Sequence, residues 1–97
     1  MFDQITIIGC GLIGSSLLRA IDKKKLSKKI NVFDKSKEAQ SFIKDNLPGN
    51  VFDDINESVK GSDLVIISSP LSSYKEILLS IKSGLKKNVI LTDTGST

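Results

Sequence analysis

Short runs of apolar, mostly β-branched residues alternate with amphipathic stretches along this chain, and this alternation limits the fold more than any other feature. Residues 5–8, 30–33 and 64–67 form nearly continuous apolar runs, as is typical of parallel strands covered on both faces. The stretches between them carry apolar residues at helical spacing. Strands alternating with helices pair in parallel through right-handed crossovers. The pattern therefore predicts an α/β fold with a doubly wound parallel sheet of strand order 3-2-1-4-5.

Capping and turn residues indicate the elements between these strands. Ser36 is predicted to cap a helix. The inner face of that helix is expected to carry Ala39, Phe42, Ile43 and Leu47. A short strand is predicted at residues 51–52. Asp54, with Glu57 three residues on, then resembles a capping box for a one-turn helix.

The last helix and strand have the clearest periodicity. Apolar residues follow the helical pattern at Tyr74, Ile77, Leu78, Ile81 and Leu85. Gly84 falls near the end of this helix, where glycine is expected to take the left-handed conformation. Residues 89–91 are predicted to form the fifth strand.

Length and composition exclude several classes of function. The 97 residues predict one domain, and the lone Cys10, with no histidine, rules out a Ser-His-Asp triad, a Cys-His nucleophile and a metal-ligand cluster within this segment. Cys10 has no base to activate it, so only a steric role is expected. One cysteine favours a reducing compartment, the cytoplasm. The apolar stretch at residues 5–18 lacks the marks of a signal peptide and is too interrupted to span a membrane.

The net charge of +3 comes largely from lysine runs at residues 23–25, 28–29 and 86–87. Each run is expected at a helix end or in a loop, where lysines face solvent or the helix dipole. Because aromatic residues do not interleave with these lysines, the pattern favours a solvated surface over a nucleic-acid interface.

The glycines that follow the first strand form a GxGxxG motif. Gly9 is expected to make the tight turn, Gly11 to let the backbone approach a pyrophosphate, and Gly14 to let the helix pack closely. The amides from Leu12 through Ile13 to Gly14 would then face the phosphates at the positive end of the helix dipole. The motif is weak alone, but here it follows a buried strand and opens a helix, as in dinucleotide-binding folds of the Rossmann type.

Asp34 ends the second strand, 20 residues after Gly14. An acid at this position accepts hydrogen bonds from the ribose hydroxyls of the adenosine. Its charge repels a 2′-phosphate, so NAD is expected and NADP is disfavoured. Lys35 and Lys37 complicate the choice because they would partly neutralise a phosphate. The alternative is that Asp34 only caps the next helix.

Polar residues also follow the later strands. Ser68 and Ser69 are candidates for hydrogen bonds to a ribose or nicotinamide, and Pro70 fixes the turn. Ser69 is equally compatible with capping the next helix. Asp93 is expected to form a turn rather than to act as a catalytic acid, and Ser96 is the hydroxyl in its loop that would face a substrate.

Three segments together resemble the N-terminal domain of prephenate/arogenate dehydrogenases. They are ITIIGCGLIGSSL at residues 5–17, SDLVIISSP at residues 62–70 and TDTGS at residues 92–96. The likeness covers essentially the whole chain. Asp93, Gly95 and Ser96 match three positions of the family's Asp-x-Gly-Ser-x-Lys loop. The chain is thus expected to be the NAD(P)-binding Rossmann domain, residues 1–97, of a larger two-domain enzyme.

The resemblance implies oxidative decarboxylation in tyrosine biosynthesis. Hydride would pass from the ring carbon bearing the hydroxyl of prephenate or arogenate to the nicotinamide, and the ring carboxylate would leave as carbon dioxide. In the family a histidine in a later Gly-x-His-Pro segment polarises the hydroxyl, and Ser96 matches a serine that supports it. A following helical domain completes the substrate site and a homodimer. The segment alone is therefore expected to be inactive.

Two alternatives fit the same architecture. One is a related dehydrogenase or reductase, of the 3-hydroxyisobutyrate dehydrogenase or pyrroline-carboxylate reductase type. The other is a non-catalytic regulatory nucleotide-binding module, like those that gate potassium channels. The TDTGS segment at residues 92–96 favours the prephenate/arogenate dehydrogenase interpretation over both.

Overall fold

A computed structural model describes residues 2–9, 11–69 and 71–93. Over these ranges the elements are β1 (Phe2–Ile8), α1 (Gly11–Lys24), β2 (Ser27–Phe33), α2 (Lys37–Asn46), β3 (Asn50–Phe52), α3 (Ile55–Val59), β4 (Leu64–Ile67), α4 (Leu71–Ile81), a 3₁₀ turn (Lys82–Gly84) and β5 (Ile90–Asp93). The predictions made for Cys10, Pro70, Gly95 and Ser96 fall outside the described residues, as do the side chains of Leu12 and Ile13.

The strands form one five-stranded sheet in the order β3-β2-β1-β4-β5, and every neighbouring pair is parallel. This arrangement confirms the predicted fold class and strand order. In the register of the central strands, Ile8 at the end of β1 lies opposite Phe33 of β2 and Ile67 of β4. The carboxyl ends of β1, β2 and β4 therefore meet at one edge of the sheet.

Helices cover both faces of the sheet, and each face has its own apolar core. On one face, Leu18 and Ile21 of α1 and Ile43 of α2 pack on the sheet. On the other, Val59 of α3 and Ile81 of α4 do the same. Because the central strands are buried on both faces, their continuous apolar runs have a structural cause.

The inner face of α2 differs from the prediction at Phe42. Ile43 and Leu47 are buried as expected, but Phe42 is 52% exposed. Ile43 and Leu47 are one helical turn apart and point at the sheet, whereas Phe42 precedes them and lines a surface groove with Arg19. A helix of this length needs only a narrow apolar stripe, so a flanking aromatic residue stays at the surface.

The prediction of a left-handed Gly84 is wrong. The left-handed glycines among the described residues are Gly9, Gly11, Gly49 and Gly61. Gly84 ends the 3₁₀ turn that follows α4, and a Cβ there would lie 3.4 Å from Oδ1 of Asn56. A side chain at this position would therefore make only ordinary van der Waals contact with α3.

The lysine runs are at helix ends and loops in two of three cases. Lys23 and Lys24 occupy the last turn of α1, as predicted. Lys28 and Lys29, however, belong to β2, which begins at Ser27. The strand extends beyond its apolar run because its first residues pair with the exposed start of β1.

A buried polar cluster attaches α3 to the face of the sheet that α3 and α4 cover. Thr6 of β1 donates to the carbonyl oxygen of Ser58 at 2.6 Å, and its hydroxyl also contacts the hydroxyl of Ser62. Asn31 of β2 donates to the same Ser58 carbonyl at 3.0 Å. All four residues are buried. Their mutual hydrogen bonds offset the cost of removing these groups from water.

Replacing Thr6 by valine should destabilise the fold. Thr6→Val keeps the side-chain shape but removes the donor to Ser58 and the partner of Ser62, at a cost of about 1–3 kcal/mol in the free energy of unfolding. Thr92→Val makes the same change at an exposed position of β5, where surface substitutions change stability by less than about 0.5 kcal/mol. Urea unfolding compares the two, and equal losses would contradict a role for the buried cluster.

Asp63 joins three strands at the opposite, amino-terminal edge of the sheet. Its Oδ2 accepts from the amides of Asp3 at 2.7 Å and Gln4 at 3.2 Å, and its Oδ1 contacts the ammonium of Lys86. Its carbonyl oxygen accepts from Ile90 at 2.9 Å, at the start of β5. The Lys86 hydrogen bond, followed by those from Asp3 and Gln4, lowers the pKa of the Asp63 carboxyl.

The contribution of Asp63 to stability should depend on pH. Because the pKa of Asp63 is lowered in the folded state, its stabilising effect is complete above the ordinary carboxyl pKa. The effect is lost as pH falls through the lowered value. The difference in urea midpoint between wild type and Asp63→Asn should therefore shrink in acid.

Asp53→Asn is the control, because it removes an exposed ion pair with Lys37 that contributes little to stability. A difference between wild type and Asp63→Asn that stays constant at every pH would exclude the carboxylate as its source.

Candidate functional site

Three chain segments leave the sheet side by side where β1, β2 and β4 end. The amide of Gly9 donates to the carbonyl of Phe33 at 2.7 Å, and the amide of Ser68 donates to the carbonyl of Ile8 at 2.8 Å. These bonds continue the sheet by one residue past each strand. The glycine loop, Asp34 and the serine pair are thereby brought to one edge, as the sequence predicts for a ligand site.

A cleft of about 390 Å³ opens at this edge. Its lining comprises Ile8, Gly9, Gly11, Phe33, Asp34, Lys35, Ile55, Ser68, Ser69, Ser73, Glu76, Ile77 and Ser80. Five of the predicted cofactor-binding residues are among them, namely Gly9, Gly11, Asp34, Ser68 and Ser69. The remaining lining comes from the ends of β1 and β2, from Lys35, and from α3 and α4, which contribute apolar walls at Ile55 and Ile77.

Each glycine of the loop has a distinct structural role. Gly9 turns the chain with a φ of +79°, and a Cβ there would lie 2.2 Å from Oγ of Ser69. A Cβ on Gly14 would lie 2.8 Å from the carbonyl oxygen of Gly9, so only glycine lets α1 begin this close to β1. A Cβ on Gly11 would meet no protein atom within 4 Å. The space above Gly11 is therefore open to a ligand.

The start of α1 has the properties of an anion site. Leu12, Ile13 and Gly14 lie in the first turn of a 14-residue helix, where backbone amides lack helical partners. The first turn contains no acidic residue, so the helix dipole is not neutralised there by the chain itself. This end of the helix meets the glycine-lined part of the cleft, and together they fit the pyrophosphate of a dinucleotide.

Asp34 lines the cleft and also shapes the turn after β2. Its Oδ1 accepts from the amide of Ser36 at 2.9 Å, and its carbonyl oxygen accepts from Gln40. The helix cap itself is Ser36, whose hydroxyl accepts from the amide of Ala39 at 3.2 Å. Asp34 is therefore not the N-cap of α2. Its half-buried carboxylate is held by a turn at the mouth of the cleft.

The two lysines near Asp34 have different surroundings. The ammonium of Lys37 lies 2.9 Å from Oδ1 of Asp53, with which it forms an exposed ion pair. Lys35 is exposed and lines the cleft. Only one of the two cations that complicated the choice of cofactor therefore borders the cleft.

Ser68 and Ser69 support the glycine loop as well as lining the cleft. The backbone of Ser69 lies about 3.1 Å from where a Gly9 Cβ would be, and Oγ of Ser68 lies 3.4 Å from a Cβ on Gly14. Both serines are half-buried. The hydroxyls thus border both the loop and the cleft, and their predicted role in contacting a ligand stays a prediction.

Sequence reasoning missed the wall that α4 contributes. Ser73, Glu76, Ile77 and Ser80 line the cleft at intervals of three and four residues. This spacing is itself a helical stripe, adjacent to the apolar stripe that indicated the core face. A mixed polar and apolar stripe on the helix after β4 was the signal that could have predicted it.

Asp93 lies at the end of β5. Desolvation, and then hydrogen bonding to the Asp93 carboxylate and its negative charge, raise the pKa of the Tyr74 hydroxyl. Within the described ranges, no group of three or more histidine, cysteine, aspartate or glutamate residues could hold a metal ion. No helix among the described residues is long and apolar enough to cross a membrane.

The doubly wound parallel sheet, the glycine loop opening α1 and the acid at the end of β2 together define a nucleotide-binding domain of the Rossmann type. The family described as "NADP oxidoreductase coenzyme F420-dependent" matches residues 4–96. The chain belongs to this family.

Three known proteins show how far the likeness extends. A cyclohexadienyl dehydrogenase of Zymomonas mobilis is 39% identical over 99% of this chain, which spans 33% of that protein. A prephenate dehydrogenase of Bacillus subtilis is 34% identical over 100% of this chain and 27% of its own length. A prephenate dehydrogenase from A. aeolicus, in complex with hydroxyphenyl propionate and NAD+, has a TM-score of 0.86 at 23% identity, covering 100% of this chain and 35% of that one. The chain spans about a third of these relatives or less.

The packing of Gly14 gives a direct test of the loop geometry. Gly14→Ala should destabilise the fold by about 1–3 kcal/mol, because the new methyl group overlaps a backbone oxygen that cannot move without displacing β1. Gly84→Ala is the control, since its Cβ would make only ordinary contacts and should change stability by less than about 0.5 kcal/mol. Thermal unfolding measures both, and an unchanged Gly14→Ala variant would disprove the close approach.

Proposed function

We propose that this chain is the dinucleotide-binding domain of a prephenate or arogenate dehydrogenase. The observation that carries the proposal is the alignment of nearly the whole chain with the cyclohexadienyl dehydrogenase. The likeness to the solved structure supports the fold alone. The glycine loop, the Asp34 carboxylate and the cleft supply what such a domain needs to bind its cofactor.

We propose one orientation for the cofactor in the cleft. Ile55 and Ile77 form apolar walls near Asp34, which suits an adenine ring with its ribose beside the carboxylate. The pyrophosphate then lies over Gly11, where the structure leaves open space. The nicotinamide half continues toward Ser68 and the ends of β4 and β5. When bound, the nicotinamide ring supplies the hydride acceptor of the reaction.

NAD rather than NADP is the proposed cofactor. The Asp34 carboxylate at the mouth of the cleft repels a 2′-phosphate and accepts hydrogen bonds from a ribose diol. Lys37 pairs with Asp53 and is not among the residues that line the cleft. Lys35 alone would neutralise less of the charge of a 2′-phosphate than the two lysines would together.

The remainder of the proposed enzyme lies beyond these residues. We assign the histidine that polarises the substrate hydroxyl and the helical domain that completes a homodimer to the parts of the relatives that this chain does not span. Ser96 is the proposed contact to the substrate hydroxyl from this chain. The segment alone is then inactive, the substrate is a small molecule, and the single cysteine fits a cytoplasmic enzyme.

The role of Asp34 can be tested by calorimetric titration of this chain with NAD and NADP. Asp34→Ala should weaken NAD binding by about 1.5–3 kcal/mol, the contribution of hydrogen bonds to a charged acceptor. Asp34→Asn keeps an acceptor for the Ser36 amide and should narrow the preference for NAD over NADP by removing the charge. Asp45→Asn removes the same charge from the exposed side of α2 and is the control. Unchanged affinities in both Asp34 variants would refute the ribose assignment.

The reaction itself is tested with the full-length protein that contains this chain. Formation of NADH is followed with prephenate, arogenate and 3-hydroxyisobutyrate as substrates. Turnover of either of the first two supports the proposal and separates prephenate from arogenate. Turnover of 3-hydroxyisobutyrate alone would favour the related dehydrogenase. NAD binding without turnover of any substrate would favour a regulatory module.

A further inference from the structure

Glu76 of α4 is a charged residue of the cleft to which the proposed orientation of the cofactor assigns no contact. It lies on the wall that α4 contributes, directly before Ile77. Among the residues that the structure describes, its carboxylate forms no ion pair and no hydrogen bond. Ser80, one turn further along this wall, donates its hydroxyl to the carbonyl oxygen of Glu76 at 3.0 Å. The Ser80 hydroxyl is thus engaged with the helix backbone, whereas the Glu76 carboxylate is available to a ligand.

The neighbours of Glu76 place it beside the adenosine half of the site. Phe33 at the end of β2, Ile55 at the start of α3 and Ile77 of α4 line the cleft and pack on the same apolar core. Because α3 and α4 also pack against each other, these side chains form an apolar surface on one side of the cleft. This surface lies next to Asp34, which follows Phe33, and it suits the face of an adenine ring. Glu76 borders it.

The charge of Glu76 limits what its side chain can contact. An ionised carboxylate accepts hydrogen bonds and donates none. It repels the anionic pyrophosphate, so at this position it must meet a hydrogen-bond donor of the ligand. On the adenosine half the donors are the ribose hydroxyls and the exocyclic amino group of adenine. The ribose is assigned to Asp34 at the end of β2, whereas Glu76 approaches from α4. The amino group of adenine is the donor that remains.

We propose that Glu76 is a specificity-determining residue, whose carboxylate accepts a hydrogen bond from the exocyclic amino group of adenine. A purine with a carbonyl oxygen at this position presents an acceptor instead, and two facing acceptors are unfavourable. The site thus selects an adenine dinucleotide over its hypoxanthine counterpart. This role rests on the proposed dinucleotide-binding function, and it adds recognition of the base to the recognition of the ribose by Asp34.

The test compares NAD with its deamino analogue, in which hypoxanthine replaces adenine and the rest of the molecule is unchanged. Calorimetric titrations use the wild-type chain, Glu76→Ala and Glu76→Gln. Because Glu76 is exposed, the wild-type chain should bind NAD about 5- to 20-fold more tightly, somewhat less than a buried charged acceptor would give. Glu76→Ala should reduce this preference to within about twofold, since it removes the acceptor. Glu76→Gln should reduce it as well, because an amide offers an acceptor to the amino group and a donor to the carbonyl oxygen.

Glu57→Gln is the matched control. It removes the same charge from the same type of side chain on α3, where Glu57 is exposed and does not line the cleft. Both glutamates are exposed, so these substitutions should leave the fold intact. The preference for NAD should stay at its wild-type value in Glu57→Gln. A loss of the preference in this variant too would make the net charge its source and overturn the contact at Glu76.

Titration with ADP-ribose, which lacks the nicotinamide, locates the contact along the cofactor. Glu76→Ala should weaken the binding of ADP-ribose and of NAD by the same factor, since both ligands carry adenine. A loss confined to NAD would place Glu76 beside the nicotinamide half and overturn the assignment.

The outcomes separate the role of Glu76 from the proposed function. A wild-type preference for NAD that is lost in both Glu76 variants and kept in Glu57→Gln supports the role. A wild-type chain that binds NAD and its deamino analogue equally, or a Glu76 variant that keeps the preference, would overturn the role and leave the proposed function standing. A wild-type chain that binds neither dinucleotide would instead refute the proposed function, and the role of Glu76 with it.

Discussion

The burial of β1 in the middle of the sheet is the constraint on which the other features depend. This strand pairs in parallel with β2 and β4, and its side chains contribute to the apolar cores on both faces. Parallel pairing in register makes the three strands end together. Gly9, Asp34 and Ser68 are then neighbours, although they are far apart in the sequence. The cleft exists because the central strands are fixed from both sides.

Stability and ligand binding are assigned to opposite edges of the sheet. At the amino-terminal edge, the Asp63 carboxylate joins the starts of β1 and β4 to Lys86, and its backbone joins them to β5. The buried cluster around Thr6 attaches α3 to one face of the sheet. At the carboxyl edge, left-handed glycines and an open helix N-terminus leave backbone donors facing the cleft. The hydrogen bonds at the amino-terminal edge stabilise the fold, and the carboxyl edge carries the cleft.

In α4, neighbouring residues pack in the apolar core and line the cleft. Ile81 is buried in the core, and Ile77 packs on that core and also lines the cleft. Glu76 lines the cleft and is not part of the core. Its apolar period predicted the helix and its core face. The cleft-facing stripe was not predicted, because hydrophobic periodicity identifies the side that meets the sheet and carries no information about what lies beside it. The exposure of Phe42 was not predicted for the same reason. The buried Ile43 and Leu47 fix which side of α2 faces the sheet, and Phe42 lies outside that side.

The alternation of strands and helices along the chain predicted the strand order. Local sequence signals alone determined the element types, the glycine loop and the position of Asp34. Each follows from interactions over a few residues: apolar periodicity, a cap at Ser36 or Asp54, a turn at glycine. Only the tertiary structure decided that Gly14 packs on the Gly9 carbonyl and that Lys37 pairs with Asp53. These contacts join residues that different parts of the fold position, and their geometry exists only after the helices have docked on the sheet.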